Sequence, residues 1–98
     1  IQAMSNNQWG QLTELLHKQS HTGDLEKLLM ILLAPEERDA IATRLSILKA
    51  LLGGKQSQRE VAAGLGVSIA TITRGSNNLK SLEEADKQFL IKQIGISE

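Results

Sequence analysis

Ser57-Gln58-Arg59-Glu60 and, a few residues on, Ile69-Ala70-Thr71-Ile72-Thr73-Arg74-Gly75-Ser76-Asn77 are the stretches on which the fold turns. The first reads as a capping box: the Ser57 hydroxyl accepts from the Glu60 backbone N–H while the Glu60 carboxylate reaches back to the cap. A helix therefore starts there. It ends at Gly64-Leu65-Gly66, and Ser68 is placed to cap a second helix over residues 69 to about 79. Two short helices joined this closely cross steeply. They need a small residue where they touch, a glycine where the turn takes positive φ, and branched apolar residues to wedge the second helix in place. Ala62, Gly66, Val67 and Ile72 meet those needs. Ser68, Ile69, Ala70, Thr73, Arg74 and Asn77 are then left on the outward face of the second helix, where a DNA major groove can receive them. An ordinary helical corner would show the same spacing.

Charge favours the nucleic-acid reading. The whole chain is formally neutral, but between Arg44 and Lys80 six basic residues (Arg44, Lys49, Lys55, Arg59, Arg74, Lys80) face the single acid Glu60, a local balance of +5 against −5 elsewhere. Such a division presents a cationic face to a polyanion while an acidic scaffold limits indiscriminate binding. Chance clustering of solvated charges is the plainer alternative.

Working outward, Gly53-Gly54 stop a helix that Pro35 opens at its first position, with Glu36, Glu37 and Asp39 complementing the positive end of its dipole. Ile41, Leu45, Leu48 and Leu52 form its apolar stripe. Before it, residues 25–33 make a helix that Leu25, Leu28, Leu29, Ile31, Leu32 and Leu33 render apolar nearly all round, so it must be buried on several sides. The Ser20-His21-Thr22-Gly23-Asp24 cluster separates it from a first helix, roughly residues 5–19, with Trp9, Leu12 and Leu16 on one face. At the other end Ser81-Leu82-Glu83-Glu84 reads as a second capping box, opening a last helix whose apolar side is Phe89, Leu90 and Ile94. The class is all-α, without internal repeats or long linkers.

The 98 residues make one small domain, 41% apolar with only Trp9 and Phe89 aromatic. A lone chain of this size buries about two-thirds of its unfolded surface. Its core must come from Leu, Ile, Val and Ala, and packing against a second copy would help; a homodimer is expected. The absence of Cys excludes disulfide frameworks, thiolate nucleophiles and Cys-ligated metal sites, and is compatible with a reducing cytoplasm. No window approaches the ~18 apolar residues of a membrane span, and no secretory pattern opens the chain. Ile1-Gln2-Ala3, ahead of Met4, reads as a vector remnant. Residues 4–98 are then one helical domain: a dimerisation core over about 5–54 and 82–96, and a helix-turn-helix over about 57–79.

Pro35-Glu36-Glu37-Arg38, Ala42-Thr43-Arg44, Ser57-Gln58-Arg59-Glu60 and above all the run from Ile69 to Asn77 resemble the Trp repressors of bacteria, from about Trp9 to Leu90. That family is itself a standard example of the helix-turn-helix and of water-mediated operator contact, so its docking geometry is taken over as known. The resemblance implies an intertwined helical homodimer that represses tryptophan biosynthesis genes from the cytoplasm. Its two heads would be set for successive major grooves of double-stranded operator DNA only when L-tryptophan is bound as corepressor. Matched by position, Arg44 and Arg74 lie on the two faces of the indole, which planar guanidinium groups suit. Arg74 also pairs with the carboxylate, and Gly75 lets the ring approach. Backbone carbonyls of Ile31 and Leu33 from the other subunit receive the ammonium group. Arg59, Ile69, Ala70 and Thr71 correspond to groove-facing positions, and Gln58, Thr73, Asn77 and Lys80 to phosphate-side ones; only the groove set can specify sequence.

Three positions depart from the family. Ala34 stands where Thr is common, removing a hydroxyl near the ligand carboxylate. Asn78 stands where Ser is common beside the ammonium; its amide oxygen can accept from that group, but its bulk shifts the available space. Ala62 replaces a basic residue of the best-known member, so one DNA contact is missing.

Other constellations carry less. His17 and His21 stand at i, i+4, a metal-ligand spacing, yet only Glu14 is near as a third ligand, and solvated histidines are the plainer reading. Gly64-x-Gly66 lacks the third glycine and preceding strand of a dinucleotide fingerprint. No catalytic Ser/His/Asp set can be assembled, and neither enzyme activity, metal nor prosthetic cofactor is expected. Trp9 reads as a core or dimer anchor. Arg44 and Arg74 can also be read as phosphate contacts with no ligand between them. That leaves two rivals: a repressor-like DNA-binding protein responding to another ligand or to none, and a helical dimerisation module with no nucleic-acid role.

Overall fold

The computed structural model describes residues 2–95, and among them every regular element is a helix: α1 (Gln2–His17), α2 (Thr22–Leu32), α3 (Pro35–Gly53), α4 (Gln58–Leu65), α5 (Ile69–Lys80) and α6 (Glu84–Ile94). Ile1, which opens the expected vector remnant, and residues 96–98, which close the expected helical domain, lie outside the described residues. The chain forms two compact units, Ile1–Asp39 and Ala40–Glu98.

In the first unit, α1 stops at His17 because the Gln19 side chain closes its end: Nε2 donates to the Leu15 carbonyl at 2.9 Å while the Gln19 N–H reaches Leu16. The break expected over Ser20 to Asp24 is shorter than its composition suggests. His21 is extended and caps α2 without a side-chain bond, and Thr22-Gly23-Asp24 form the first turn, where Asp24 complements the dipole. No residue of α2 is buried; Ile31 is 73% exposed, and Met30 and Leu32 are exposed beside it. Trp9 is 68% exposed, so it is not part of this chain's own core. Pro35 opens α3 as its missing N–H allows. Behind it the Ala34 N–H donates to Glu37 Oε1 at 2.7 Å, half of a capping box whose other half a residue without a side-chain acceptor cannot supply.

In the second unit α3 ends where Gly54 takes φ +66°, its N–H reaching the Ala50 carbonyl. The Ser57 box forms in full: Ser57 Oγ accepts from the Glu60 N–H at 3.1 Å and Glu60 Oε1 from the Ser57 N–H at 2.8 Å. Gly66 closes α4 at φ +70°, and Ser68 Oγ accepts from the Thr71 N–H at 3.1 Å to open α5. Ile47 of α3, Val61 and Ala62 of α4 and Ile72 of α5 make the core, with Ala50, Leu51 and Val67 packed against it.

The second capping box does not form. α5 runs on to Lys80, and Ser81 is spent closing it: its backbone is helical (φ −85°, ψ −8°), its N–H reaches the Asn77 and Asn78 carbonyls, and its hydroxyl donates to Asn78 at 2.8 Å. A helix N-cap must be extended. That place falls to Glu83, which makes no side-chain cap bond, and α6 starts at Glu84.

Candidate functional site

Helical periodicity divides α5 into two faces. Ile72 and Leu79 are buried and Gly75 and Ser76 half-buried, which turns Ile69, Ala70, Thr73, Arg74, Asn77 and Lys80 outward, all exposed. The first turn of α4 adds exposed Gln58 and Arg59. The expected DNA-facing residues are thus exposed, Thr71 apart, on two helices held by a core in which Ile72 has no solvent exposure at all. Ser68 and Thr71 are a local pair among them. Their hydroxyls lie 2.9 Å apart, and Thr71 is half-buried, so its Oγ1 is already engaged at the helix entrance.

Of the residues matched to ligand recognition, Arg44, Arg74, Gly75 and Asn78 belong to the second unit and Ile31, Leu33 and Ala34 to the first. Arg44, Arg74 and the Asn78 side chain are exposed. Gly75 has a packing reason of its own: a Cβ there would lie 2.8 Å from Ile47 Cγ2, closer than real methyl contacts allow. Glycine is what lets α5 press onto α3. Ile47 is buried and β-branched, so this methyl cannot swing aside freely. Gly75→Ala is expected to lose about 1 kcal/mol net, because overpacking of about 1–3 kcal/mol outweighs the roughly 1 kcal/mol regained in helix propensity. Chemical denaturation checks this, and an unchanged or stabilised variant would show that Ile47 yields.

The Leu33 carbonyl accepts from Arg38 Nη1 at 2.9 Å, and the same nitrogen reaches the Met30 carbonyl at 3.2 Å. Sequence reasoning passed over Arg38. The available signal was a count of acceptors: Pro35 has no N–H for the end of α2, so other donors must serve there. His17 lies in a shallow groove along α1 with Asn7, Gly10, Gln11, Thr13 and Glu14. Among the described residues no three His, Asp or Glu side chains gather closely enough to hold a metal, and no helix is long and apolar enough to cross a membrane.

Residues 7–94 match the family described as Trp repressor protein. The chain belongs to the Trp repressor family. It is 45% identical over 89 residues to the Trp operon repressor homolog of Vibrio parahaemolyticus, covering 88% of this chain and 86% of that one. Over 82 residues it is 46% identical to the homolog of Vibrio campbellii, covering 84% and 82%. The Vibrio cholerae homolog is 43% identical over 94 residues, with 96% and 91% covered. Trp repressors are DNA-binding transcriptional regulators and not enzymes. They act as dimers on operator DNA with tryptophan as corepressor, and they carry no prosthetic group. The all-helical architecture is that of the family.

Proposed function

We propose that this chain is a cytoplasmic, homodimeric repressor of tryptophan biosynthesis genes that binds operator DNA when L-tryptophan occupies a site built from Arg44, Arg74, Gly75 and Asn78 together with Ala34 and, from the other subunit, the backbone carbonyls of Ile31 and Leu33. The observation that carries the reading is that Gln58, Arg59, Ile69, Ala70, Thr73, Asn77 and Lys80 of α4 and α5 are all exposed in the most basic part of the chain; we assign Arg59, Ile69 and Ala70 to the groove and Gln58, Thr73, Asn77 and Lys80 to phosphates. Ser68 and Thr71 complete that set. The exposed apolar residues of α2 support dimerisation through residues 5–54 and 82–96, the head being residues 57–79. Light scattering at micromolar concentration is expected to give a dimer mass, and a well-folded monomer there would refute it.

The deciding experiment measures affinity for DNA from upstream of tryptophan biosynthesis genes at zero and at saturating L-tryptophan. Tighter binding with tryptophan is expected; equal affinities would remove the corepressor and leave DNA binding standing. That outcome is the second reading, a repressor-like protein with another ligand or none, and Ala34 and Asn78 favour it because they alter the polar groups around the ligand. For the DNA itself, Arg59→Ala is expected to cost about 1–3 kcal/mol and relax preference at one base pair, since its fork suits guanine O6 and N7. Lys80→Ala should weaken all sequences alike and flatten the salt dependence by about one charge per subunit. Equal loss of specificity in both would reverse the assignment of roles.

A further inference from the structure

The last carbonyls of α2 need partners, and two of the usual ones are withheld. The Ile31 carbonyl would pair with the N–H of residue 35, which is proline. The Met30 carbonyl would pair with the Ala34 N–H, but that group donates to Glu37 Oε1 at 2.7 Å. Arg38 answers one of these and the carbonyl that follows α2: the two protons of Nη1 reach the Met30 carbonyl at 3.2 Å and the Leu33 carbonyl at 2.9 Å. Leu33 C=O and Ala34 N–H are the two poles of one peptide group. Consecutive residues at the start of α3 therefore hold that plane from both sides, Arg38 by its oxygen and Glu37 by its nitrogen.

From this we infer that Arg38, with Glu37, is a positioning residue for recognition of the ligand's amine: it fixes the direction in which the Leu33 carbonyl offers its remaining lone pair. The inference rests on the proposed function, in which that oxygen receives the ammonium group. A carbonyl oxygen has two acceptor sites, so the bond from Arg38 leaves one free. The guanidinium stands beside an acceptor meant for a cation, but the Glu37 carboxylate on the same peptide offsets its charge. What remains is orientation. Arg38 is half-buried, and fixing its side chain leaves the incoming ligand less of the ordering cost.

The test compares L-tryptophan with indole-3-propanoate, the same skeleton without the amine, by calorimetric titration of the unaltered protein and of Arg38→Met and Arg38→Lys. Arg38→Met keeps the apolar stem and loses the donors. It is expected to weaken tryptophan by about tenfold, the worth of one well-oriented hydrogen bond, and to leave the propanoate unchanged. Arg38→Lys, with a donor that reaches one carbonyl at a time, is expected to recover part of the loss and keeps the test open if the methionine variant folds poorly. Equal loss for both ligands would mean that Arg38 only stabilises the fold, and no loss for either would mean that the carbonyl needs no holding; each overturns the inference alone. Wild-type protein that binds no tryptophan would instead overturn the corepressor reading, and this inference with it.

Discussion

Replacing Ile72 by alanine is expected to cost about 2–5 kcal/mol, the range for truncating a fully buried large aliphatic residue, of the roughly 5–15 kcal/mol that holds a typical domain folded. Ile72 has no solvent exposure and meets Val61 and Ala62 of α4 and Ile47 of α3, so the three methylene and methyl groups removed leave a cavity where the two short helices and their support converge. α4 and α5 share this core and are joined through Gly66, Val67 and Ser68, so the truncation acts on both. Loss of DNA binding should therefore track loss of stability, while the dimer mass persists. Ile72→Val, which leaves most of the volume filled, should cost only about 0.5–1.5 kcal/mol. Denaturant titration at one fixed protomer concentration measures both, since dimerisation makes the midpoint concentration-dependent. Similar costs for the two variants would place the loss at the Cδ1 methyl, which both remove, and not in the volume of the cavity.

The same head shows why part of this protein could be read from its sequence. Ser57, Glu60, Gly66 and Ser68 act on groups within three or four residues of themselves, so their bonds follow from local chemistry wherever the chain goes next. Ser81-x-x-Glu84 offers the same local pattern and forms no box, because the preceding helix claims the serine first. A capping serine can serve the end of one helix or the start of another, and the choice depends on how far α5 runs. Gly75 is harder still. Its missing Cβ points at Ile47, twenty-eight positions earlier, and no periodicity within α5 announces that approach. Arg38 sits between these cases: Pro35 signals that the end of α2 is short of a donor, but that the Arg38 side chain reaches back to Met30 and Leu33 is a matter of geometry. The apolar α2 was legible as a helix needing cover, and none of its residues is buried. The ligand residues came from resemblance to a family; no local rule marks two arginines thirty positions apart as the walls of one site.

Those two arginines give the largest expected effect on function. If Arg44 and Arg74 clamp an indole and Arg74 also holds its carboxylate, Arg74→Leu removes a charge-assisted pair and one stacking face together, and tryptophan affinity should fall by roughly 10- to 100-fold. Arg44→Lys keeps the charge and loses the flat surface, so it should weaken tryptophan binding more than it weakens the ligand-free attraction to DNA, which responds to charge alone. Phosphate contact without a ligand predicts the reverse: Arg44→Lys nearly silent, and Arg74→Leu reducing DNA binding equally with and without tryptophan. Calorimetry with tryptophan and DNA titrations at two tryptophan concentrations separate the cases. Reciprocity then constrains the result, because whatever factor tryptophan adds to operator affinity, operator DNA must add to tryptophan affinity. A variant that lowers tryptophan affinity while leaving this factor intact has lost contacts made equally in the free and DNA-bound protein. One that lowers the factor itself has lost the contact by which the ligand sets the heads, and Arg74, which would hold the ligand from α5 itself, is expected in the second group.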